Sequence, residues 1–295
     1  MPLIKKINSG NGPSWVFFGT DEFSVIVLET LKTRGFLPAL VLTTPDKPQG
    51  RHLTLTPPPV KLWAIKNDIK FIQPPSFKDS SAIDKLKALS CQLFVVASYG
   101  KIIPQSVLDL PEHGTLNIHP SLLPKFRGAT PLQSAILAGE EKTGVSIMKL
   151  DALMDHGSLL GQIVISLTDW QPYYQELHDR SATEGANLLA DLLPAYLAGK
   201  LIPVEQDHSM ATYTQKIEKA DGQLDLTGDP EINYRKVRAF TPWPGVFFFI
   251  KKDNRELRVS IKKARLENGQ LIIEKVVPEG KKEMDWASFQ RGYLS

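Results

Sequence analysis

Gly114-Thr115-Leu116-Asn117-Ile118-His119-Pro120-Ser121-Leu122-Leu123-Pro124-Lys125-Phe126-Arg127-Gly128 reads as a short strand that runs straight into a turn broken by two prolines. If Thr115 to His119 is extended, the two-residue period puts Asn117 and His119 on one face and Leu116 and Ile118 on the other. Pro120 and Pro124 cannot continue a central strand, so the chain leaves the sheet where the two polar side chains emerge. Open α/β sheets place their sites at such strand ends. On the residues alone, such a pair is more often a hydrogen-bonded amide and imidazole in a core than a catalytic one, since most buried polar groups are merely hydrogen-bonded.

Working outward from this stretch, the chain before it reads as a doubly wound opening. Trp15-Val16-Phe17-Phe18 is a buried strand. Gly19-Thr20-Asp21 turns it into a helix with Phe23, Ile26, Val27 and Leu31 on its apolar face, capped by Thr20 or Asp21 and closed by Gly35. Leu37 to Thr43 is the next strand, completing a βαβ unit. Val60 to Asn67 reads as a helix, Lys70 to Gln73 as a strand and Asp79 to Leu89 as an amphipathic helix. Leu93 to Ala97 is continuously apolar, as a central parallel strand should be. Between these elements, Thr44 to Pro59 holds Pro45, Pro48, Pro57, Pro58 and Pro59 and reads as a long loop with neither helix nor sheet, made cationic by Lys47, Arg51 and His52.

After the central stretch, Thr130-Pro131 opens a helix that Gly139 ends. Thr143 to Leu150 and Gln162 to Leu167 read as two strands, joined by a segment carrying Asp151, Asp155, His156 and Gly157. Asp179 to Ala198 is helical, with Pro194 in its last turn. Residues 1–14 form a tail, 15–199 the first domain, 200–206 a linker and 207–295 a second domain. That second domain is mostly β, with strands at Val246 to Ile250, Leu257 to Ile261 and Leu271 to Val276 after a helix opened by Asp229-Pro230.

With 295 residues, 42% hydrophobic and 23% charged, the chain is long enough for two globular domains with real cores. No apolar run is long enough to span a bilayer, so no membrane association is expected. Cys91 is the sole cysteine, which excludes an internal disulfide and suits a reducing cytoplasm. The net charge of +3 says little, but between Arg235 and Arg265 ten Lys or Arg stand against two acids. Such a run fits either a polynucleotide surface or a solvated sheet face. Gly10-Asn11-Gly12 precedes the first strand and is no dinucleotide fingerprint, and Gly139 to Gly144 lacks the lysine of a phosphate-binding loop. No Gly-x-Ser-x-Gly elbow occurs.

An amide, an imidazole and a carboxylate from Asn117, His119 and Asp155 suit acyl transfer to an amine. The amide can donate to an oxygen that becomes anionic, the imidazole can move or stabilise protons, and the carboxylate can orient or charge the imidazole. An amine acceptor is its own nucleophile, so no serine or cysteine is required. A loop aspartate such as Asp155 or Asp151 is ordinarily a solvated turn residue.

Asn117-Ile118-His119-Pro120-Ser121-Leu122-Leu123-Pro124, then Arg127-Gly128, then Asp155, resembles the signature of the folate-dependent formyltransferases, and the likeness runs from about Trp15 to the C-terminus. The resemblance implies a Rossmann-like α/β catalytic domain followed by a smaller, OB-like barrel that binds tRNA. It implies Asn117, His119 and Asp155 as the catalytic residues, and backbone groups of Tyr99, Gly100, Ser121, Leu122, Leu123 and Pro124 as holders of the folate ring. Arg51 and Lys47, in the proline-rich insertion, are implied as tRNA contacts. The donor implied is 10-formyltetrahydrofolate, the acceptor methionyl-initiator tRNA, and the enzyme a monomer that uses no metal. A metal site from His119, Asp155 and His156 fits no zinc spacing. An acceptor amino group on a sugar nucleotide is the alternative, with formate release to water and a tRNA-binding protein with a dead site as further readings. The tail before Trp15 and the aromatic Leu167-Thr168-Asp169-Trp170-Gln171-Pro172-Tyr173-Tyr174 turn depart from the family pattern.

Overall fold

The computed structural model of the chain describes residues 14–50, 53–78, 80–252 and 255–294. The first half alternates strand and helix: β1 (Trp15–Phe18), α1 (Glu22–Thr33), β2 (Leu40–Leu42), β3 (Lys47–Gln49), β4 (Thr54–Thr56), α2 (Pro59–Lys66), β5 (Phe71–Ile72), α3 (Ser80–Ala88), β6 (Leu93–Val96), α4 (Gln105–Leu108) and β7 (Thr115–His119). Next come α5 (Pro131–Ala138), β8 (Lys142–Lys149), β9 (Leu159–Ser166) and the long α6 (Tyr174–Leu197). The remainder holds α7 (Pro230–Phe240), β10 (Val246–Lys252), β11 (Arg255–Glu267), β12 (Gln270–Pro278), β13 (Met284–Asp285) and α8 (Trp286–Tyr293).

Seven strands form one sheet in the order β5-β2-β1-β6-β7-β8-β9. Strands β5 to β7 in that order run parallel, and β8 pairs antiparallel with β7. The all-apolar strands β1 and β6 are buried along their whole length, as parallel strands covered on both faces must be. Val16, Phe18, Phe94, Val96 and Tyr99 join Leu40, Leu42 and Cys91 in one buried cluster. From β1 the chain winds outward to β2 and β5, then returns to the other side of β1 at β6. In open sheets of this kind ligands bind where the strand order reverses, here at the carboxyl ends of β1 and β6, next to β7.

Local chemistry sets the element ends. Asp21 caps α1 by accepting from the Ser24 amide at 3.3 Å, one of the two caps expected. Pro131 opens α5, and Gly139 closes it in the left-handed region at φ 67°. Helix α6 begins at Tyr174, ahead of the expected Asp179, and Pro194 lies inside it.

The Thr44 to Pro59 segment differs from its reading as a structureless loop. Strands β3 and β4 pair antiparallel, with Lys47 opposite Thr56 and Pro48 opposite Leu55. In a two-stranded ribbon each strand keeps an open edge, where a proline forfeits no ladder bond. Asp46 pins the root of the hairpin: its carboxylate accepts from Lys61 Nζ at 2.7 Å and from Gln73 Nε2 at 2.7 Å.

Two compact units result, each assembled from separated segments: residues 1–127, 144–165 and 179–212 in one, residues 128–143, 166–178 and 213–295 in the other. The second unit carries the antiparallel sheet β10-β11-β12-β13, the small mostly-β domain that the sequence leads one to expect. Its basic run is divided by position. Arg238 is 6% exposed, and burial lowers the pKa of its guanidinium. Arg235 pairs with Glu231 at 3.4 Å, and Glu274 engages Lys263 at 2.8 Å and Arg265 at 2.6 Å. No helix among the described residues is long and apolar enough to cross a membrane.

Candidate active site

β7 carries Asn117 and His119 to the carboxyl edge of the sheet on the same face, as the strand period dictates. Asn117 is half-buried, and among the described residues its side-chain amide takes no hydrogen-bond partner. His119 is buried, and its Nε2 lies 3.0 Å from the Phe126 carbonyl. A carbonyl only accepts, so this nitrogen carries the hydrogen. The other nitrogen, Nδ1, faces Asp155 Oδ1 at 3.6 Å. With Nε2 already a donor, a proton on Nδ1 makes the ring an imidazolium facing a carboxylate. Of the two partners Asp155 is the more open, its side chain 14% exposed against 5% for His119.

Asp155 sits on the β8–β9 connection in the left-handed region at φ 48°, a conformation that aspartate tolerates better than most residues. Two residues on, a Cβ at Gly157 would lie 2.0 Å from the Lys149 carbonyl, so only glycine lets this loop fold back against the end of β8. Asp151 points elsewhere, accepting from His156 Nδ1 at 2.8 Å and from the Leu153 amide at 2.9 Å.

The Ser121 to Pro124 turn, whose Leu123-Pro124 bond is cis, is braced from within. The Ser146 hydroxyl donates to the Ser121 carbonyl at 2.6 Å and accepts from the Leu123 amide at 3.1 Å and from Gln162 Nε2 at 2.8 Å. Gln162 Nε2 also donates to the Leu123 carbonyl at 2.9 Å, and the Leu122 carbonyl accepts from the Lys125 amide at 3.1 Å. Buried turn groups need partners, and these find them inside the protein. Tyr99 points into the core at 3% exposure, its ring edge-on to Phe18, while its carbonyl accepts from Thr20 Oγ1 at 2.7 Å. Gly100 follows in the left-handed region. Burial pushes the Tyr99 phenol up to about 12. Lys47 is exposed on β3, and Arg51 and His52 lie outside the described residues.

The structure thus joins His119 to Asp155 across a long separation in the chain. It also adds residues that sequence reasoning left without a role: Ser146, Gln162, Arg127, Gln206 and His208. Ser146 left one trace, a lone small polar residue within the apolar run Val145 to Met148. Gln206 left none, lying between acids in what reads as a linker.

An amide donor, an imidazole and a partly exposed carboxylate at the carboxyl end of a doubly wound sheet are the equipment of a group-transfer enzyme. Family comparison gives the class: residues 15–193 match the model described as formyl transferase, and residues 216–270 that of the formyl transferase C-terminal domain. The chain belongs to the formyl transferase family. Relatives include the methionyl-tRNA formyltransferase of Geobacter sulfurreducens, 37% identical over 94% of this chain and 93% of that protein. That of Chloroflexus aurantiacus is 44% identical over 79% of this chain and 75% of its own. Among solved structures, a methionyl-tRNA formyltransferase from Clostridium thermocellum shares the fold, with a TM-score of 0.60 and 18% identity over 93% of this chain and 100% of that one. A sugar N-formyltransferase from a Shewanella species shares it too, with a TM-score of 0.62 and 17% identity over 83% and 95%.

Proposed function

We propose that this enzyme transfers a formyl group from 10-formyltetrahydrofolate to the α-amino group of methionine on initiator tRNA, with Asn117, His119 and Asp155 as its catalytic residues. The observation that carries the site assignment is the half-buried, unpartnered Asn117 amide beside the His119–Asp155 pair. The donor supplies a formyl carbon whose oxygen gains negative charge when an amine adds. The Asn117 amide donates to that oxygen, and His119, on the same face of β7, helps to stabilise it. Both His119 nitrogens are engaged, so the more exposed Asp155 carboxylate is the group placed to take the proton from the attacking nitrogen. Addition forms the new carbon–nitrogen bond and a tetrahedral carbon; its collapse restores the formyl carbonyl and breaks the donor's carbon–nitrogen bond, and the released folate nitrogen takes up the proton that Asp155 accepted.

The folate ring is assigned to the Ser121–Pro124 turn and to Tyr99 and Gly100, whose backbone groups border the carboxyl ends of β6 and β7. The internal bracing by Ser146 and Gln162 supports this by holding the turn rigid, and each carbonyl keeps a second lone pair for a ligand. Lys47 on β3 and, by its place in the sequence, Arg51 are assigned to tRNA, with the basic second domain. The division into 15–199, a linker at 200–206 and 207–295 belongs to the same reading, supported by family matches that end at 193 and resume at 216.

A formylation assay with charged initiator tRNA and, in parallel, an amino sugar nucleotide tests the acceptor. Transfer to tRNA alone is expected, and preference for the sugar would overturn it. Asn117→Ala should lower kcat by about two to three orders of magnitude while leaving the melting temperature close to wild type. Near-full turnover would remove Asn117 from the mechanism.

A further inference from the structure

The 3.6 Å contact between His119 and Asp155 depends on a loop whose aspartate stands in a left-handed conformation, and a buried side-chain amide bonds to the backbone of that loop. Gln206 is 5% exposed, and its Nε2 donates to two carbonyls of the loop, Asp155 O at 3.0 Å and Gly157 O at 2.7 Å. Its Oε1 accepts from Arg127 Nη2 at 2.7 Å. A guanidinium only donates, so Arg127 fixes which end of the Gln206 amide faces the loop. The same Arg127 nitrogen lies 2.8 Å from His208 Nδ1, and the His208 ring stacks on His156 at 3.9 Å between centroids.

Arg127 is itself held in place. It is 2% exposed, and its amide donates to the Thr212 carbonyl at 2.8 Å. The residue before it, Phe126, presents the carbonyl that engages His119 Nε2. One short segment therefore orients the imidazole through Phe126 and, through Arg127 and Gln206, the backbone that carries the carboxylate. We propose that Gln206, oriented by Arg127, is a positioning residue that sets the Asp155–His119 geometry. It touches no reacting atom. A loose 3.6 Å pair is sensitive to displacement. A shift of about 1 Å in such a group can cost on the order of 100-fold in rate.

This inference rests on the catalytic reading of His119 and Asp155, so the experiment separates the two. In the full chain, kcat and both KM values are measured for Gln206→Leu, Asp155→Ala and the double variant, with amide hydrogen exchange followed across residues 153–157. Gln206→Leu should lower kcat by roughly 10- to 100-fold with both KM values within about threefold, and should speed exchange in the loop. The double variant should be no slower than Asp155→Ala alone, because Gln206 acts through Asp155. Gln206→Glu keeps the Arg127 contact and loses both donated bonds, so it should follow Gln206→Leu, and it supplies the test if the leucine variant does not fold. Unchanged kcat or unchanged exchange in these variants overturns the proposal, as does an additional loss of similar size in the Asp155→Ala background. Full turnover by Asp155→Ala overturns the catalytic reading itself, and the positioning role with it.

Discussion

Tyr99 shows how a side chain and its backbone can serve different ends. Its ring packs among Phe18, Phe77 and Val96, and its hydroxyl, buried, has no partner among the described residues. A buried hydroxyl without a bond costs on the order of 1–3 kcal/mol, so Tyr99→Phe should leave the protein as stable or raise its melting temperature. The pH dependence follows from the raised pKa. An unfolded phenol ionises near 10 and the folded one only at about 12, so the neutral form is favoured by folding and stability is lost as pH rises above 10. Thermal melts between about pH 8 and 11 should show that alkaline loss in the wild type and a smaller one in the phenylalanine variant. A large drop in stability on losing the hydroxyl would mean that the group has a partner.

At the scale of elements, the hairpin β3–β4 is the part most at odds with its own composition. Its prolines exclude a central strand but not an edge, and its anchor is electrostatic. The bonds from Gln73 and Lys61 hold the Asp46 carboxyl below its ordinary 3.8. A depressed carboxylate pKa stabilises the fold above the unfolded value, and that contribution is lost as the pH falls through the folded one. Asp46→Asn should therefore lower the melting temperature at neutral pH. The gap from wild type should close below about pH 3.8. A gap that persists into acid would show that packing rather than charge anchors the hairpin.

At the scale of the whole molecule, part of the basic run between Arg235 and Arg265 is already engaged. Arg238 is buried, and Arg235, Lys263 and Arg265 are paired with acids. On the proposed reading, affinity for tRNA draws on exposed cations, the hairpin's Lys47 among them. Binding should weaken linearly on a log scale with salt, and Lys47→Ala should reduce that slope by about one while weakening binding to charged and uncharged tRNA alike. Filter binding across a salt series measures both, and an unchanged slope would take Lys47 out of the interface.

The sequence by itself determined what is local. Alternation placed Asn117 and His119 on one face of β7, continuous apolarity buried β1 and β6, Pro120 and Pro124 ended the strand at the site, and Asp229, Pro131 and Gly139 marked helix ends. These follow from periods of a few residues, which neighbouring side chains fix between them. Tertiary structure alone decided what depends on partners distant in the chain: that Asp155 rather than Asp151 reaches the imidazole, that Ser146 and Gln162 brace the turn, and that Gln206 is buried against the loop. Each of these rests on a hydrogen bond or a contact whose two halves carry no mutual signal until the sheet order β1-β6-β7-β8 brings them together, to about 3 Å where they bond and to 3.6 Å between His119 and Asp155.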